Sequence, residues 1–98
     1  NVTWGTPFDQ LKDQFASLVK AGNIVRAYVN GNGQGAMTTA WWNNIITGQG
    51  DPNRGDIMIS GSAVLEYELT DYSIQLMNEQ NGALFVGDGY TITKITVE

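Results

Sequence analysis

The run NIVRAYVN, residues 23–30, decides the fold class, because its apolar residues recur with a period of two. Val25, Ala27 and Val29 fall on one side, and Arg26, Tyr28 and Asn30 on the other. Successive side chains of an extended chain point to opposite faces, so this is a half-buried β-strand with a polar, aromatic-bearing outer face. Downstream, GNGQG (31–35) reads as a turn and AMTTAWWNNII (36–46) as a second strand of mixed polarity. TGQGDPNRGD (47–56) is a loop dense in Gly, Asp, Asn and Pro. IMISGSAVLEYELT (57–70) reads as one or two strands broken near Gly61, with Val64, Glu66 and Glu68 opposite Leu65, Tyr67 and Leu69. ALFVGDGYTITKITVE (83–98) is two strands around GDG, or one strand with a bulge.

Helix signals are local. In TPFDQLKDQFASLVKAG (6–22), Thr6 is placed as an N-cap, Pro7 at the first helical position and Gly22 just past the end. Phe8, Leu11, Phe15 and Leu18 recur at helical spacing, so a helix within 7–20 is one reading; a strand followed by a single helical turn is the other. In TDYSIQLMNEQNG (70–82), Thr70 caps a short helical turn that Asn81 and Gly82 close. VTW (2–4) is a short strand. Short strands separated by Gly-rich turns indicate an all-β sandwich with one or two short helical turns.

Ninety-eight residues suit one domain, 1–98, with one core, and no internal repeat or linker divides them. The chain reads as a module of something longer. Without cysteine or histidine there are no disulfides, thiol nucleophiles or common zinc ligand sets. No run approaches 18 apolar residues, so no membrane span is expected, and no signal peptide pattern is present. Net charge is −5, and the five basic residues (Lys12, Lys20, Arg26, Arg54, Lys94) stand singly. Nucleic acid and anionic membrane partners are therefore not expected, because both call for clustered cations.

Several motifs reduce to simple structure. NGNGQGA (30–36) resembles a dinucleotide fingerprint, with Asp51 downstream, but the helix that must follow is missing and a hairpin turn accounts for it. Arg54-Gly55-Asp56 is a three-residue match inside a Gly- and Asp-rich loop. Asp51 and Asp56 could donate hard oxygen ligands to a structural calcium, but a solvated turn is the simpler reading of them. Glu66 and Glu68 are neighbours on one strand face, not carboxylates straddling a substrate, so enzymatic chemistry is not expected.

The aromatic residues carry more information. Trp41 and Trp42 adjoin Asn43 and Asn44, and the neighbouring strand offers Arg26, Tyr28 and Asn30. Flat rings beside amide and guanidinium groups suit sugars, whose C–H faces stack on aromatic planes while their hydroxyls pair with polar groups. If 36–46 is a strand, one of Trp41 and Trp42 faces the core and the other faces out; we assign Trp42 outward.

Taken together, LVKAGNIVRAYV (18–29), the early TWG (3–5), LEYELT (65–70) and the closing NGALFVGDGYTITKITVE (81–98) resemble small bacterial β-sandwich carbohydrate-binding modules, family 81 being the nearest. The resemblance spans nearly the whole chain and rests on the order and spacing of these pieces. It implies a jelly-roll-like sandwich, no catalysis, and binding of single β-glucan chains: cello-oligosaccharides, mixed-linkage β-glucan or xyloglucan. It also implies a bacterial extracellular location, an attached glycoside hydrolase directed to plant cell wall, and a monomer. The site residues expected are Trp4, Arg26, Tyr28, Asn30, Trp41, Trp42, Asn43, Asn44 and Asp88. No cofactor is expected beyond the calcium noted above. The competing expectation is a structural or protein-interaction sandwich, whose exposed aromatics would be scattered.

Overall fold

The computed structural model describes residues 1–8, 19–43, 45 and 57–98. Its elements run β1 (Ile24–Thr39), β2 (Ile57–Glu68), α1 (Asp71–Glu79) and β3 (Ala83–Val97). The strands form one antiparallel sheet in the order β2-β1-β3. At about 3.3 Å per residue, a straight strand of β1's 16 residues would reach ~53 Å. The longest dimension of the molecule is 32 Å, so the strands fold over.

The fold line is a crease of glycines: Gly31 and Gly33 on β1, Gly61 on β2, Gly87 and Gly89 on β3. At Gly33 a methyl group would collide with the Asp88 carbonyl; at Gly87, held at φ +132°, it would collide with that of Gln34. Only hydrogen side chains permit this approach. Gly35 lies far along β1 from Ala27, the residue opposite Leu65, yet a Cβ on Gly35 would touch the Leu65 Cδ1 and the Tyr90 ring. The 34–39 half of β1 therefore packs over the 24–30 half. The same three strands supply both layers of an all-β, sandwich-like fold.

The core fills the space between the layers. Val25, Ala27, Val29, Leu65 and Tyr67 face Met37, Ile57, Ile59 and Phe85. Tyr90 at the crease is fully buried, and its hydroxyl donates to the Val86 carbonyl at 2.8 Å. Two register shifts bend the sheet. Between Tyr28 and Val29, β3 carries an extra residue, Thr93, whose hydroxyl donates to the Tyr28 carbonyl at 3.0 Å. Between Gly31 and Gln34 the extra residue lies on β1.

Several sequence expectations change here. GNGQG (31–35) is the creased interior of a continuous strand, not a turn, because its glycines accept a neighbouring backbone. Residues 36–39 continue β1, and the strand ends before the tryptophans. Residues 57–68 form one strand through Gly61, and 83–97 one bulged strand. Phe8 makes reciprocal backbone bonds with Phe85 at 2.9 and 3.1 Å, so no helix starts at Pro7; the rest of that expectation, residues 9–18, lies outside the described residues. Val2 likewise joins β3 beside Tyr90.

Helix α1 forms as its caps dictate. The Thr70 hydroxyl accepts from the Ser73 amide at 3.1 Å. At the other end, Asn81 is left-handed (φ +65°) and the Gly82 amide donates to the Met77 carbonyl at 2.7 Å, a Schellman closure. Ser73, Leu76 and Met77 are buried.

Candidate functional site

Beyond Thr39 the chain reverses. The Trp42 amide donates to the Thr39 carbonyl at 2.9 Å, and the Thr39 amide donates to the Asn43 carbonyl at 2.8 Å. Residues 40–42 thus form a three-residue loop whose third member, Trp42, sits at φ +66°, a position that glycine ordinarily fills. Thr39 is fully buried and acts as the hub. Its hydroxyl accepts from the Trp41 and Asn43 amides, both at 3.3 Å, and donates to Gln80 Oε1 at 2.7 Å. Gln80 Oε1 also accepts from Asn43 Nδ2 at 2.9 Å. Two turns earlier on α1, the Ser73 hydroxyl donates to the Ile45 carbonyl at 3.1 Å. The loop is pinned along the helix.

Alternation holds only while the chain is extended, so the expected division of the tryptophans fails. Trp41 is 59% exposed and Trp42 43%, and neither belongs to the core. Thr39 and Gln80 were not among the expected residues. The signal available for Thr39 was a hydroxyl residue shortly before an Asn, which favours a side chain-to-backbone turn over continued strand.

The other expected residues lie elsewhere. Trp4 is half exposed at the tip of a tight turn closed by reciprocal Thr3–Thr6 backbone bonds at 3.3 and 3.0 Å. Arg26, Tyr28 and Asn30 share the outer face of the 24–30 layer, turned away from the layer that ends in the tryptophan loop. Arg26 Nε meets Glu66 Oε2 at 2.7 Å and Nη1 meets Glu98 Oε2 at 3.1 Å; these two carboxylates raise its pKa above the ordinary arginine value. The Lys94 ammonium lies 5.4 Å from the centre of the Tyr28 ring. A shallow groove of about 380 Å³ opens beside Tyr28, with Asn30, Ser62, Val64 and Thr93 on its walls. Asp88 is exposed at the crease opposite Gln34. Asn44, Asp51 and Asp56 lie outside the described residues. Among the described residues no group of three or more carboxylates gathers to hold a metal ion, and no helix is long and apolar enough to cross a membrane.

The structure therefore brings Trp41, Trp42 and Asn43 together, and separately Arg26, Tyr28 and Asn30. Tyr72, exposed in the first turn of α1, was not anticipated.

No protein-family model matches the chain, and no curated protein matches it. Among solved structures, it is similar to SGBP-B of the Bacteroides ovatus mixed-linkage glucan utilization locus, solved in complex with a mixed-linkage heptasaccharide. The TM-score is 0.79 at 15% sequence identity, over 94% of this chain and 24% of that one. The chain thus spans about a quarter of the length of that protein. At this identity the likeness carries the fold: the chain shares its all-β, sandwich-like architecture with one part of that protein.

Proposed function

We propose that the chain is a non-catalytic carbohydrate-binding module that holds β-glucan chains by aromatic stacking. The observation that carries this reading is the pair of exposed indoles on a loop locked by Thr39 and Gln80. An adjacent pair of large exposed rings, one in a left-handed conformation, is costly to keep unless it meets a ligand. Each indole offers an apolar plane to a pyranose. The Asn43 amide, already oriented by Gln80, takes a hydroxyl through its oxygen, with Asn44 beside it in sequence. Trp4 and Asp88 stand apart and meet only longer chains. The similarity to a structure holding a mixed-linkage heptasaccharide supports the ligand class.

On this reading the ligands are cello-oligosaccharides, mixed-linkage β-glucan and xyloglucan. The module works outside a bacterial cell, as a monomer, 1–98 acting as one unit that directs an attached glycoside hydrolase to plant cell wall. Stacking gains little per ring after desolvation, so affinity is micromolar or weaker and grows with chain length. Native electrophoresis through gels containing β-glucan, xyloglucan or mannan tests this. Retardation on a β-glucan is expected, and unchanged mobility in all three gels overturns the proposal.

The second reading, a spacer or protein-interaction sandwich, is favoured by the dispersal of Trp4, Tyr28 and the Trp41–Trp42 pair over separate surfaces. Quenching of tryptophan fluorescence by a neutral solute separates the two: protection by cellohexaose belongs to sugar binding alone.

A further inference from the structure

We propose that the outer face of the 24–30 layer is a second glycan site, independent of the tryptophan loop, so that one module engages two chain segments at once. The inference rests on the sugar-binding reading above and extends it to a surface facing the other way.

Three observations on this face point to a neutral pyranose. First, the groove of about 380 Å³ crosses all three strands, from Ser62 and Val64 on β2, past Tyr28 and Asn30 on β1, to Thr93 on β3. That volume lies within the range of small-molecule sites. Its Thr93 wall is the bulged residue of β3, and strand bulges commonly re-aim side chains beside binding sites. Second, its chemistry is mixed as a sugar requires. Tyr28 and Val64 (39% exposed) supply apolar surface, while the exposed Asn30 amide and Ser62 hydroxyl have no side-chain hydrogen-bond partner among the described residues. Third, each cation of this face is matched by a carboxylate or an aromatic ring, in a chain of net charge −5. Its ionised side chains are Arg26 and Lys94 against Glu66, Glu68 and Glu98. Arg26 is neutralised by its two carboxylates, and Lys94 rests against the Tyr28 ring. An anionic ligand finds no uncompensated cation cluster there; an uncharged one meets no desolvated charge.

A module with two sites gains avidity on a polymer beyond the affinity of either site, and can bridge two chains. Amide-resolved NMR titration of the intact chain with a mixed-linkage glucotetraose tests this, together with turbidity on long mixed-linkage β-glucan. Two separate sets of shifts are expected, one over residues 39–43 and one over 28–30, 62–64 and 93, and the wild type should make the polymer turbid. In the Trp41→Ala/Trp42→Ala double variant only the second set should survive. In Tyr28→Ala, and in the milder Asn30→Ala, only the first should survive at full size. All three variants should lose turbidity while keeping the dispersed spectrum of a folded chain. One set of shifts, abolished by the double variant and untouched by Tyr28→Ala and Asn30→Ala, overturns the second site and leaves the tryptophan loop standing. No shifts in any protein overturn sugar binding itself.

Discussion

Trp42 shows how much a single residue can reveal when its backbone is out of place. A non-glycine residue in the left-handed region costs about 1–2 kcal/mol, and here the side chain, 43% exposed and outside the core, offsets only part of it by burial. Trp42→Gly should therefore leave the melting temperature unchanged or raised by a few degrees while glucan retention falls at least about tenfold. Trp41→Ala should likewise weaken retention, with stability within about 0.5 kcal/mol of the parent, as befits an exposed site. Thr39 behaves in the opposite sense. Thr39→Val strips a buried hydroxyl from two amides and Gln80 and should cost about 1–3 kcal/mol in denaturant unfolding, whereas Thr39→Ser keeps the hydrogen bonds and most of the stability. Tyr90 sets an alkaline limit, because burial pushes its hydroxyl pKa well above the ordinary value of about 10. Below pH ~9 both folded and unfolded chains keep this proton, and the tyrosine contributes no pH dependence. Above about pH 10 the unfolded chain loses the proton first, so stability should fall as pH rises, read as a dropping melting temperature that Tyr90→Phe lessens.

Among the elements, the creased strands depend on glycine for different reasons at different places. Gly33→Ala and Gly87→Ala drive a methyl into a backbone carbonyl that cannot move aside, so each should cost more than about 3 kcal/mol or prevent folding. Gly61→Ala meets open space and bears only the strain of φ +80°, about 1–2 kcal/mol. Chemical denaturation of the three variants side by side checks the order. The crease also explains what the sequence could convey about these elements. Alternation through Val25, Ala27 and Val29 is a property of the strand alone, and it held. The Thr70 cap and the Asn81-Gly82 closure are equally local, and they produced α1. GNGQG was ambiguous, since closely spaced glycines permit a reversal or a close backbone approach. The choice depends on Gly87 and Gly89, more than fifty residues away. Trp42 faces outward as assigned, but Trp41 was misassigned to the core because alternation was carried past Thr39, where the hydroxyl and Gln80 end the strand.

For the molecule as a whole, charge and topology have separate consequences. The ligand proposed is uncharged, so affinity for a neutral glucan should vary by less than about twofold between ~20 mM and ~500 mM NaCl in a retention assay. A charge-steered partner would show a steep decline instead. The separation of Tyr28 from Trp42 was not legible in the sequence: two segments that read as adjacent strands are one strand folded back, with the sites on different layers. The doubling-over also governs how quickly the protein can come into being. Ile24 pairs with Glu68 and Val25 with Val97, so the central strand completes no ladder until chain from far downstream has arrived on both sides. Neither layer can form first as a local hairpin, because each is cut from the same three strands. Such non-local pairing places folding in the slow, millisecond-to-second regime. During that interval the long backbone edges of β1 wait with their N–H and C=O groups unpaired, and the chain is most exposed to sticking to its own kind.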